Sequence, residues 1–201
     1  MDFNSSPLCS RVGKNTILNF ANNLGLIQLP KSVTLNERIQ PIQLPTKSLK
    51  AGENAVVVGW GATKDASPLP VPSNTLSHVE LTTITNTACM KVYGAVIRDT
   101  IVCASGEGNQ GMCRGDSGGG LVQTDAEGNY VLVAVANFYG RECENTYPSG
   151  FTRTFDYLEW IQNVTSNVAE DDDNDTNSAS FDSNLLLVVT FVAVVTLKLN
   201  Q

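Results

Sequence analysis

Six short runs rich in β-branched residues, each stopped by turn-forming Gly, Pro, Asn or Asp, fill residues 53–154 and leave this chain few folds to choose from. They are ENAVVVGW (53–60), TLSHVELTT (75–83), TIVCA (100–104), GLVQT (120–124), YVLVAVANF (130–138) and SGFTRT (149–154). The second alternates, with Ser77, Val79 and Leu81 on one face and His78, Glu80 and Thr82 on the other. DAEGN, between the fourth and fifth, reads as a hairpin turn. Such spacing predicts a small antiparallel barrel. After it, Thr154 is placed to cap a helix over FDYLEWIQNV (155–164), with Phe155, Leu158, Ile161 and Val164 on one stripe. A polar linker begins near Ser166, and no internal repeat is evident.

The 201 residues suffice for one domain with a real core or two small ones. A hydrophobic share of 42% excludes wholesale disorder. Most of the net charge of −7 sits beyond residue 165, where Glu170, Asp171, Asp172, Asp173, Asp175 and Asp182 face only Lys198. The body is nearly neutral and offers no basic surface, which excludes nucleic acid as an expected partner. None of the five cysteines is spaced Cys-x-x-Cys and there is one histidine, His78, so no metal and no cofactor are expected. Four cysteines could form two disulfides in any of three connectivities, with one left over. Glycosylation sequons at Asn4, Asn163 and Asn174 join them in pointing to an oxidising, extracellular compartment.

The two ends of the chain pull apart on that compartment. MDFNSSPLCSRVGKNTILNF has no apolar core flanked by positive charge and predicts no signal peptide. At the other end, AEDDDNDTNSAS precedes the apolar LLLVVTFVAVVTL (185–197), too short for a spanning helix. Small residues, a polar spacer and a hydrophobic tail form the pattern of a cleaved lipid-anchor (GPI) signal, with attachment near Asn177 or Ser178. A short membrane anchor and an idle apolar tail are the alternatives.

GMCRGDSGGGL (111–121) carries the chemistry. Glycines around Ser117 let backbone amides approach a reacting carbonyl, and the N–H groups of Gly115 and Ser117 could hold a developing oxyanion. With NNLGLIQLP (22–30), VGWGAT (58–63) and YPSGFTR (147–153) in the same order, the chain resembles the chymotrypsin-like serine peptidases. The resemblance covers residues 19–165. It implies two antiparallel β-barrels: a second one, about residues 50–154, essentially complete, and a first one only partial, preceded by an atypical segment (1–18). The helix (155–164), an acidic linker (166–184) and the hydrophobic tail (185–201) follow. Ser117 matches the nucleophile, Gly115 and Ser117 the oxyanion amides, and Cys89–Cys103 and Cys113–Cys143 two disulfides of the family. Cys9 has no evident partner.

Three departures decide what the resemblance means. The family's catalytic histidine precedes the motif matched by NNLGLIQL, and none of the 22 residues before Asn23 is His. His78 follows it, on a strand, and reads as a surface residue. Asn23 stands at the triad aspartate. An amide cannot stabilise an imidazolium, and Asp→Asn in the template enzyme lowers turnover about 10⁴-fold. Finally, no Ile-Val-Gly-Gly-like start supplies the ammonium that pairs with the aspartate before the nucleophile, here Asp116. A carboxylate without a cation predicts a loose loop around Ser117, loosened further by Gly120 where the family has Pro.

Gly111 and Ser149 match floor positions of the primary pocket, Arg114 its mouth, and Asn137, Phe138 and Tyr139 the wall strand. Neither floor residue is acidic, which disfavours Lys or Arg, and Tyr139 narrows the entrance. The reading is therefore a serine endopeptidase by family, acting on peptide or protein, with this chain inactive or severely impaired. A non-catalytic homologue that binds a partner through the cleft is the alternative.

Overall fold

The computed structural model describes residues 9–11, 20, 22–27, 33–65, 71–172 and 187–188. All six predicted runs form strands: β3 (Asn54–Gly59), β4 (Ser77–Ile84), β5 (Ile101–Ala104), β6 (Gly120–Thr124), β7 (Tyr130–Phe138) and β8 (Ser149–Arg153). They close a barrel in the order β3-β4-β5-β8-β7-β6, antiparallel throughout. The alternation expected of β4 holds, with Leu81 buried while His78, Glu80 and Thr82 are exposed. Between β6 and β7, Asp125 builds the expected turn by accepting from the N–H groups of Glu127 (3.0 Å) and Asn129 (2.7 Å).

Val57, Leu81, Val102, Met112, Leu121 and Phe151 fill the barrel. Each such side chain withdrawn from water contributes about 2 kcal/mol. A second cluster lies outside the wall, where Leu24 and Leu26 meet Val122, Leu132, Val135, Tyr157 and Ile161. A third joins Cys89, Ile97, Ile101, Cys103 and Phe138. Both expected disulfides form, Cys89–Cys103 and Cys113–Cys143, with Cα separations of 6.3 and 4.9 Å.

Besides the closed barrel, the described strands form a three-stranded sheet. In it β2 (Gly25–Ile27) pairs antiparallel with β1 (Cys9–Arg11) on one edge and β9 (Leu187–Val188) on the other. The remainder of the N-terminal segment, the Asn4 and Asn174 sequons, the linker beyond Asp172 and the anchor-like tail apart from β9 lie outside the described residues. Among the described residues no helix is long and apolar enough to cross a membrane.

Two helices differ from expectation. Helix α1 (Asn86–Tyr93) follows β4 where the sequence pattern predicts only strands and turns. Thr85 caps it by accepting from the Ala88 N–H at 3.1 Å, and Gly94, at φ +70°, ends it. Helix α2 (Leu158–Asp172) starts later than predicted and runs into the segment expected to be linker. Thr154 does not cap it. That residue opens a 3₁₀ turn (Thr154–Tyr157) with its hydroxyl buried and unpartnered among the described residues. The tighter turn leaves Phe155 exposed and brings Tyr157 onto the core instead.

Candidate active site

The loop from Gly111 to Gly119, between β5 and β6, presents Ser117 to solvent. Its hydroxyl has no hydrogen-bond partner among the described residues, and no bond joins it to His78. His78 is exposed on β4 opposite Val58. It lines a cavity of about 190 Å³ with Asp116, Gly111, Cys113 and Glu144, and Ser117 is not among the lining residues.

Asp116 is the best-anchored part of the loop. Its carboxylate accepts from the Gly61 N–H at 2.7 Å and from the Cys113 N–H at 2.9 Å. It is half-buried, and burial pushes its pKa above the usual carboxylate value against the pull of those two bonds. Among the described residues no cation reaches it. Here the structure departs from the expectation of a loose loop. Backbone donors hold the carboxylate, and Gly59 and Gly61 of VGWGAT make room for it. A Cβ on either glycine would overlap the carboxyl group.

Three further bonds hold the loop: Ala62 N–H to the Arg114 carbonyl (2.9 Å), Gly118 N–H to the Ala136 carbonyl (2.9 Å) and Gly119 N–H to the Asp116 carbonyl (2.9 Å). Gly120 opens β6 in register with Val135. Gly115 sits at φ +102°, a conformation that favours glycine, and its N–H, like that of Ser117, has no acceptor among the described residues. Two free amides therefore flank an exposed hydroxyl, an arrangement suited to receiving a carbonyl oxygen.

Asn23, expected at the triad aspartate position, belongs to a separate set of hydrogen bonds. Asn23 is half-buried just before β2, and its Nδ2 donates to Asn137 Oδ1 at 2.7 Å. Asn137 sits at a bulge of β7, where the register with β8 shifts between Ala136 and Phe138, and the bulge aims its side chain at Asn23. Its own Nδ2 donates to the Phe20 carbonyl (2.8 Å) and to Thr152 Oγ1 (3.1 Å). The Thr152 hydroxyl in turn donates to the backbone carbonyl of Asn23 at 3.0 Å. Sequence reasoning does not connect Phe20 and Thr152 to the site. The one signal for Thr152 is its place in YPSGFTR.

The pocket residues pack closely. Ser149 is buried and its hydroxyl accepts from the Met112 N–H at 3.0 Å. A methyl group on Gly111 would lie 2.7 Å from that oxygen, so the two floor positions touch. Tyr139 is half-buried against the barrel core that includes Met112, Ala136 and Phe151. Phe138 is buried, stacked on Phe20 with ring centroids 4.2 Å apart and edge-on to Tyr93 at 5.0 Å. The Tyr93 hydroxyl donates to the Pro148 carbonyl at 2.6 Å, and burial raises its pKa. Arg114 is exposed.

Proteins similar to this chain include serine proteases. The chain is 35% identical over 144 residues to serine protease SP24D of Anopheles gambiae, covering 72% of this chain and 49% of that protein. It is 32% identical over 162 residues to chymotrypsin-2 of Vespa crabro, covering 80% and 69%. Among solved structures, neuropsin, a serine protease expressed in mouse brain, superposes with a TM-score of 0.62 at 28% identity, over 70% of this chain and 60% of that one. The chain thus spans about half the length of the Anopheles relative. The trypsin family model matches residues 9–161, and the chain belongs to the trypsin family of serine proteases.

Proposed function

We propose that this chain is a serine-endopeptidase fold whose own residues do not support efficient peptide hydrolysis, and that its cleft binds a peptide or protein segment. One observation carries the reading: Asn23, at the position of the triad aspartate, directs an amide donor at Asn137 where a buried carboxylate acceptor is required. Ser117 keeps its exposure, and among the described residues its two amides are free, so a carbonyl can be received, but the hydroxyl proton has no acceptor among those residues. Residual acceleration from oxyanion binding alone is about 10³–10⁴-fold over water, far below a complete triad.

Binding is expected to use the Phe138–Tyr139 strand edge and the uncharged floor at Gly111 and Ser149, with Tyr139 limiting the pocket to small side chains. The two disulfides support an oxidising, extracellular setting. The test is parallel measurement of hydrolysis and binding with a panel of fluorogenic peptides. Hydrolysis equal to that of Ser117→Ala, with binding that strengthens for bulkier apolar peptides in Tyr139→Gly, supports the reading. Hydrolysis well above the Ser117→Ala control overturns it.

A further inference from the structure

The orientation of both site amides follows from donors and acceptors alone. The Phe20 carbonyl can only accept, so the Asn137 atom 2.8 Å from it is the NH₂ group. The oxygen of Asn137 then faces Asn23 at 2.7 Å, and because an amide oxygen can only accept, Asn23 must turn its own NH₂ toward it. Thr152 closes a ring, accepting from Asn137 and donating to the Asn23 carbonyl. Flipping either amide would set oxygen against oxygen or nitrogen against nitrogen in a part-buried site.

We propose that Asn137 is a positioning residue that locks Asn23 with its nitrogen forward, so that the two residues form one coupled unit and a carboxylate at position 23 is not accepted while Asn137 remains. The proposal rests on the placement of Asn23 at the triad aspartate. Its consequence is that Asn23→Asp alone does not rebuild a triad acceptor. Asn137, whose NH₂ is committed to Phe20 and Thr152, must also become a residue that can donate toward position 23, such as serine.

Other titratable groups do not enter the ring. Tyr157, from the 3₁₀ turn before α2, donates to Asn22 Oδ1 at 2.9 Å. Arg153, next to Thr152 on β8, turns to Ser48, the Ile101 carbonyl and Asp156. On β7 and at Phe20 the ring's neighbours are uncharged. A pH effect created at position 23 therefore reports on the ring.

A double-mutant cycle of Asn23→Asp and Asn137→Ser, followed by thermal unfolding of the full chain from pH 5 to 8, tests it. A carboxylate facing Asn137 Oδ1 should hold its proton to higher pH when folded than when unfolded, so stability is lost as pH rises. We expect Tm of Asn23→Asp to fall at least about 2 °C more than wild type across that range. At pH 8, Asn137→Ser should lower Tm in the wild-type background and raise it in the Asn23→Asp background. A smaller pH drift, or the same Asn137→Ser effect in both backgrounds, overturns the lock. If Asn23→Asp does not fold, wild-type side-chain amide exchange decides. Protected Asn137 NH₂ protons that lose protection in Thr152→Val support the ring, and free exchange overturns it. Because none of these readouts involves Ser117 reactivity, the lock and the inactivity reading can fail separately.

Discussion

Two sides of Ser117 have been treated in opposite ways. On the Asp116 side stand a carboxylate on two backbone N–H groups, glycines that clear space for it, and two amides without an acceptor among the described residues. On the Asn23 side lies a closed ring of neutral hydrogen bonds. The contrast teaches that one family framework can hold a part-buried carboxylate on backbone donors and, elsewhere, a ring of neutral side-chain hydrogen bonds. A neutral ring satisfies buried polar groups without the desolvation that a buried charge brings.

The largest expected effect falls on the Asn23 side. Phe138→Ala removes a buried ring that supports Phe20 and Tyr93, and should lower stability by about 3–5 kcal/mol in denaturant unfolding. If the ring of amides depends on that platform, protection of the Asn137 side-chain amide is lost as well. On the other side, Gly61→Ala pushes a methyl group into the Asp116 carboxyl and should destabilise by about 2–3 kcal/mol. A neutral outcome would mean that the close approach of Asp116 to VGWGAT does not hold the loop.

Thr152→Val keeps the shape but removes both bonds of the hydroxyl, with an expected loss of about 1–2 kcal/mol by the same measurement. The smallest effect is a pH slope. The folded Asp116 carboxyl has a raised pKa, so its contribution is fully present below the unfolded value of about 3.9 and is lost as pH rises through the folded one. Asp156 shares that direction and Asp125 opposes it. The observable is therefore the difference in Tm drift between wild type and Asp116→Asn from pH 4 to 7. The variant should lose less on alkalinisation.

Much of this was legible beforehand. Strand positions followed from β-branched runs between turn residues, and the nucleophile turn from a serine among glycines. Both disulfides came with the family resemblance. Three things were not legible, each for a physical reason. Helix α1 is only eight residues long and its stability depends on a cap at Thr85 and a disulfide at Cys89, which hydrophobic periodicity does not register. The bulge at Asn137 lies in a run apolar on both faces, where no alternation exists to reveal a slip of register. The anchoring of Asp116 is not legible because its donors are backbone groups from Gly61 and Cys113, which no side-chain pattern announces.

The central claim is that Ser117 keeps its place without a group to take its proton. Exposing the intact 201-residue chain to a fluorophosphonate probe and mapping the modified peptide by mass spectrometry tests it most directly. The account predicts labelling of Ser117 no faster than that of other exposed serines in the same protein. Rapid, stoichiometric and selective modification of Ser117 would contradict it.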